Sequence, residues 1–115
     1  MMMLITALLA LPSRGLGSMY PGASLQAPPE QLECYTQYEA STAAEMERVA
    51  DFYTAEAARA GVRLSEDTKS KFPDHRGLTF IGRSKFMFVV LDRRGSVTAI
   101  DVRFKTGGFC LGIKD

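Results

Sequence analysis

With 115 residues, 46% of them hydrophobic and 23% charged, the chain holds enough apolar material for one packed domain and too little length for two. That balance excludes disorder as the default state, and no apolar run approaches the roughly 20 residues that span a bilayer. The net charge of +1 hides an asymmetry: three basic and seven acidic residues up to Ala60, then eleven basic and six acidic from Gly61 onward. This predicts two solvated surfaces of opposite sign, the acidic one on a helix and the basic one on strands and loops.

The chain opens on an apolar run, Met1 to Leu11, closed by Pro12. It has the length of a secretory signal core, although no Lys or Arg precedes it. Gly15-Leu16-Gly17 places small residues at the −3 and −1 positions of a cleavage site, so residues 1–17 are read as a signal peptide and Ser18 as the new terminus. Cleavage after Ala10 would put Leu8 at −3, which fits less well. The competing reading is a buried N-terminal element of a cytosolic domain, but the Pro, Gly and Ser content after the run continues a packed element poorly. Localisation is therefore expected to be periplasmic or secreted.

Residues 18–31 (SMYPGASLQAPPEQ) form an extended lead-in, because Pro21, Pro28 and Pro29 fix φ and remove backbone donors. A single domain is expected over residues 32–115. Leu32 to Ala40 reads as a strand, with Cys34, Thr36 and Tyr38 on one face and Tyr35 and Gln37 on the other. Thr42 and Glu45 have the spacing of a capping box. Met46, Val49, Ala50, Tyr53, Ala57 and Ala60 then recur on one helical stripe, with Glu47, Arg48, Asp51 and Glu56 away from it, and Gly61 fits a left-handed cap.

Val62 and Leu64 begin a second strand that leaves the sheet at the polar stretch Ser65 to Lys71, and Phe72 to Gly77 is a loop. Leu78 to Ile81 is a short strand ending at Gly82. Phe86 to Leu91 (FMFVVL) is apolar on both faces, which predicts a strand that is central in the sheet or covered on both sides. Asp92 to Gly95 turns into Ser96–Phe104, where Ile100, Val102 and Phe104 alternate with Ala99, Asp101 and Arg103 as on a sheet with one wet face. The fold class expected is α+β, in the order strand–helix–strand–strand–strand, with an antiparallel sheet packed against one helix.

Cys34 and Cys110 lie at opposite ends of this domain. In an oxidising compartment they are expected to pair, closing a loop of about 77 residues worth about 4 kcal/mol of chain entropy. Two unrelated buried thiols are the alternative. The pair is no C-x-x-C, so thiol exchange is not indicated, and three Cys or His in total give no zinc site.

No catalytic residue, metal or cofactor is assigned. His75, the single histidine, stands beside Asp74 and could be oriented by it, but adjacent residues often point apart. No G-x-S-x-G elbow and no phosphate-cradling Gly loop is present. Arg83, Lys85, Arg93, Arg94, Arg103 and Lys105 with Phe86 and Phe104 could form a nucleic-acid surface, yet the phase that exposes Arg103 turns Phe104 inward. Core packing is the expectation for both phenylalanines, and no nucleic-acid partner is expected. The mixed-charge loop Ser65 to Arg76 is the recognition candidate, with Lys71, Phe72 and Arg76 as partner-binding residues.

The combination of Tyr20-Pro21-Gly22-Ala23, a helix bearing Asp51-Phe52-Tyr53 and ending Ala60-Gly61-Val62, and the Phe88-Val89-Val90-Leu91-Asp92 hairpin resembles small exported bacterial α+β domains of uncharacterised function. The resemblance covers most of the mature chain and implies export and an α+β fold; it carries no catalytic residue. The expected function is a non-enzymatic periplasmic or secreted binding or accessory protein, acting through its sheet face or the Ser65–Arg76 loop on an envelope or secreted protein. The alternative is a small enzyme or ligand-binding domain with a pocket between helix and sheet, where His75, Asp74 and Tyr53 would be the first candidates.

Overall fold

A computed structural model describes residues 11, 12, 14–69 and 73–106. In chain order its elements are β1 (Ser24–Leu25), β2 (Glu30–Gln31), β3 (Thr36–Thr42), α1 (Met46–Arg59), β4 (Arg63–Asp67), β5 (His75–Gly82), β6 (Lys85–Arg94) and β7 (Val97–Lys105). The α+β architecture with one helix against an antiparallel sheet is as the sequence pattern implies. The described residues carry more strands than the order strand–helix–strand–strand–strand provided for.

The sheet runs β1-β3-β7-β6-β5-β4, with β2 also paired to β3. After β3 the helix carries the chain across to the far edge, and β4 to β7 return strand by strand until β7 closes against β3. The proline-rich lead-in is not free: Leu25 pairs with Ala40 and Gln31 with Thr36, so two short strands blunt the outer edge of β3. At the other edge, β4 is short, charged and bulged between Leu64 and Glu66, features that discourage pairing with another chain.

The helix starts differently from the expected capping box. Glu45 is the N-cap and makes no side-chain cap bond. The Thr42 hydroxyl instead accepts from the Ala44 N–H at 3.2 Å, a local turn that consumes it before the helix begins. The Ala44 carbonyl is held by Arg93 Nη1 at 2.8 Å and by the Thr98 hydroxyl at 2.7 Å, so the sheet fixes the entry to α1. The exit follows the sequence closely. Gly61 has φ +82°, its N–H donates to the Ala58 carbonyl, and the Val62 N–H donates to that of Ala57, the two bonds of a Schellman ending.

Val49, Ala50, Tyr53 and Ala57 of the helix pack on Tyr38, Leu78, Phe80, Met87, Val89, Leu91, Ile100 and Val102 of the sheet, all buried. Two tyrosines cross this core without stranding a polar atom. The Tyr38 hydroxyl donates to the Ser18 carbonyl at 2.9 Å, so it must accept from the Tyr53 hydroxyl 2.8 Å away. Tyr53 in turn accepts from the Tyr20 N–H at 3.4 Å. Burial pushes the Tyr53 phenol up to about 12 and the Tyr38 phenol higher still.

Those bonds tie the lead-in to the core, and residues before Ser18 join it. Leu16 is buried, the Gly15 N–H donates to the Glu56 carboxylate at 2.6 Å, and Gly17 lies so close to the Phe104 ring that a Cβ there would collide with it. The cleavage point expected after Gly17 falls inside this packed segment.

Candidate functional site

Each strand of the sheet sends alternate residues to opposite faces. The helix covers one face, and among the described residues the other is open. On β6 the division is explicit: Met87, Val89 and Leu91 are buried under α1, while Phe86, Phe88 and Val90 point the other way. The doubly apolar strand is central, as its sequence allows, and among the described residues the helix covers one of its sides. Phe88 is 38% exposed, Ile81 on β5 46% and Val97 on β7 40%.

The register turns this open face into a map of rows. Arg103, Phe88 and Thr79 lie side by side across β7, β6 and β5, and Gln37 of β3 pairs beside Arg103. The next row is Glu39, Asp101, Val90 and Gly77. The row beyond Phe88 holds Lys105, Phe86 and Ile81, and the row beyond Val90 holds Ser41, Ala99, Asp92 and His75. On the central strands, Arg103 and Lys105 lie at the aromatic end and Asp101, Glu39 and Asp92 at the other. Arg94 lies beside Asp92, and Glu30 of β2 and Glu66 of β4 stand at the two edges of the Arg103 row.

Phe86 and Phe88 stack at 4.9 Å between ring centroids, and Tyr35 stands 6.3 Å from Phe86. A cavity of about 210 Å³ is lined by Tyr35, Phe86, Phe88 and Arg103, and another of about 180 Å³ by Phe88, Val90, Asp101 and Arg103. A larger depression of about 480 Å³ continues toward Glu39, Asp92, Arg94 and Val97. Asp101 is held at 3.3 Å by Gln37 Nε2, while Arg103 and Glu39 make no ion pair among the described residues.

The residues singled out from the sequence are dispersed. His75 is exposed on the open face, where its Nδ1 lies 2.7 Å from Asp92, directly across the β5–β6 ladder. Asp92, and not its sequence neighbour Asp74, is therefore the carboxylate that orients it. Tyr53 sits in the filled space between helix and sheet and lines none of the cavities above. Arg76 belongs to β5 and not to a loop. Its side chain turns to the helix side and forks onto Asp67 at 3.0 and 2.8 Å, holding that carboxyl below its ordinary range. The expected Ser65–Arg76 loop is shortened from both ends by β4 and β5. Lys71 and Phe72 lie outside the described residues.

Phe104 is in the core as expected, but Phe86 is on the open face, so core packing accounts for only one of the two. The face itself was the element least visible in the sequence. Its signal was the double-sided apolarity of residues 86–91, which says that β6 is central but not what covers each side.

Cys34 lies in the bend between β2 and β3 and is half-buried; Cys110 is outside the described residues, and so is their expected pairing. Among the described residues no helix is long and apolar enough to cross a membrane, and no three His, Cys, Asp or Glu converge as metal ligands. No known protein family, curated protein or solved structure matches the chain.

Proposed function

We propose that this protein is an exported, disulfide-closed domain that works by binding an envelope or secreted protein through the open face of its sheet, not by catalysis. The observation that carries this reading is the apolar strip of exposed Phe88 and Ile81 with half-buried Phe86 and Val90, on a sheet whose other face is packed under the helix. Such a strip, rimmed by charged residues, is what a protein interface requires. Because the register pairs Thr36 with Phe104, Cys34 stands at the end of the sheet where β7 leaves it. From residue 106, four residues at about 3.3 Å each suffice to bring Cys110 to it. Leader removal, on this reading, leaves Gly15 and Leu16 on the domain, since both belong to its packing.

The test has two parts. Protein expressed with its own N-terminus should reach the envelope or medium with thiols that resist alkylation until reduced. A photo-crosslinking residue at position 88 should form protein adducts there, and one at Glu47 on the exposed side of α1 should not. Freely alkylated cysteines in a cytosolic protein would overturn the export reading, and equal silence from both probes would overturn the binding reading.

A further inference from the structure

The open face carries charges in an order that restricts what can cover it. Reading along β7, Arg103 and Asp101 project from the same face two residues apart, and on β6 Phe88 and Val90 stand beside them. On β3 the corresponding pair is Gln37 and Glu39. Donor, cation and ring thus fill one row, while acceptor, anion and small apolar group fill the next.

We propose that the occupant of this face is a second copy of the chain, docked face to face about a two-fold axis that runs across the strands between these two rows. The inference rests on the reading that the open face is the binding surface. A two-fold axis in that plane exchanges the rows and leaves each strand opposite its own counterpart, run antiparallel. Arg103 of one copy then faces Asp101 of the other, and Gln37 faces Glu39. Phe88 comes over Val90, and Thr79 over the bare backbone of Gly77. Each pairing occurs twice, and none sets like charge against like.

The space at the axis suits this arrangement. The cavity of about 180 Å³ is lined by Phe88, Val90, Asp101 and Arg103, the four residues the axis relates, so it is placed to receive the Phe88 ring of the second copy. Sheets packed face to face lie about 10 Å apart with strands aligned within about 30°, a distance that interdigitated phenylalanine and valine side chains fill. The same angle carries the outermost rows apart, which keeps Phe86 from meeting Asp92. A different partner could use the apolar strip, but nothing would then require its rows to be mutually complementary.

The experiment uses the full oxidised chain in sedimentation and light scattering. The wild type should run at twice the chain mass. Arg103→Asp and Asp101→Arg should each weaken association by at least about tenfold, because each opposes like charges at both symmetric contacts. Mixing the two variants should restore a heterodimer, since every 103–101 contact is then again between opposite charges. That restoration also shows both variants to be folded. A wild-type chain that stays monomeric, or two variants that fail to combine, overturns the second-copy inference. The crosslink from position 88 separates this from failure of the binding reading. An adduct of twice the chain mass supports both, an adduct with a different protein from a monomeric chain overturns only the second copy, and no adduct overturns both.

Discussion

The two faces of one sheet are made from the same strands and differ in what lies over them. Under the helix, side chains from α1, β3, β5, β6 and β7 close on each other, and two tyrosine hydroxyls find partners in sequence. On the opposite face the apolar groups of β6 and β5 form a strip that nothing described in the chain covers to the same degree. The first face is where folding free energy is concentrated. The second, on the proposed reading, is the one used for recognition. Substitutions that interrogate neighbouring residues of one strand should separate these roles.

The largest contrast is expected between Phe80 and Phe88. Phe80→Ala opens a cavity beneath the helix and should cost about 3–5 kcal/mol in denaturant unfolding. A loss under about 1 kcal/mol would mean the helix-side core is not the stabilising one. Next comes the segment before Ser18. A chain beginning at Ser18 loses the burial of Leu16, worth about 1.5–3 kcal/mol, together with the Gly15–Glu56 bond, relative to one beginning at Arg14. Equal melting temperatures for the two chains would show that residues 14–17 are not part of the stable fold.

The Asp67–Arg76 fork joins β4 to β5 on the covered side. Replacing Asp67 by Asn should cost about 1.5–3 kcal/mol at neutral pH, the range for hydrogen bonds to charged groups. The sign with pH follows from Asp67 having its folded pKa lowered, chiefly by the hydrogen bond from Arg76. Its contribution is complete above the unfolded carboxyl value of about 3.9 and is lost as pH falls through the folded value. Urea titrations across that range should show a shallower acid limb for Asp67→Asn than for the wild type, and parallel limbs would remove the pair from the acid response.

At the alkaline end the tyrosines act in the opposite direction. Their folded pKa values are raised by burial, so the stability they contribute is complete below the ordinary phenol value of about 10 and is lost as pH rises toward the folded value, about 12 for Tyr53. Tyr38→Phe removes the acceptor for Tyr53 and the donor to Ser18, at a cost of about 1–3 kcal/mol at neutral pH. It should also flatten the alkaline limb; a limb that stays as steep would assign alkaline loss to other groups.

How far the sequence discloses these roles depends on where the information resides. The helix stripe from Met46 to Ala60, its Gly61 ending and the central position of FMFVVL were legible because periodicity and a required left-handed φ are local properties. The start of the helix departs from the capping-box pattern because Thr42 satisfies a nearer N–H, while a distant arginine, Arg93, does the holding. The sequence places Arg76 and His75 in a loop, whereas β5 gains three residues beyond its apolar stretch through ladder bonds to β6. Partners such as Asp67 for Arg76 and Asp92 for His75 are properties of register. The apolar sequence of β6 marks a strand that is central or covered on both sides, and only the topology shows which face the helix takes.

The smallest effect on folding is expected on the proposed binding face. Phe88→Ser exchanges an exposed ring for a hydroxyl on a face that is already partly wet, and surface changes of this kind fall within about 0.5 kcal/mol. Its neighbour Val89, one residue along the same strand, is fully buried, and Val89→Ser should cost several times as much, because a hydroxyl without a partner replaces packed methyl groups. If Phe88→Ser instead proved as damaging to unfolding as Val89→Ser at protein concentrations too low for association, the ring would be part of the monomer's core and the open face would be no binding surface. If it left unfolding unchanged but abolished the doubled mass, alternate residues of a single strand would have been assigned to folding and to recognition by the direction in which each points.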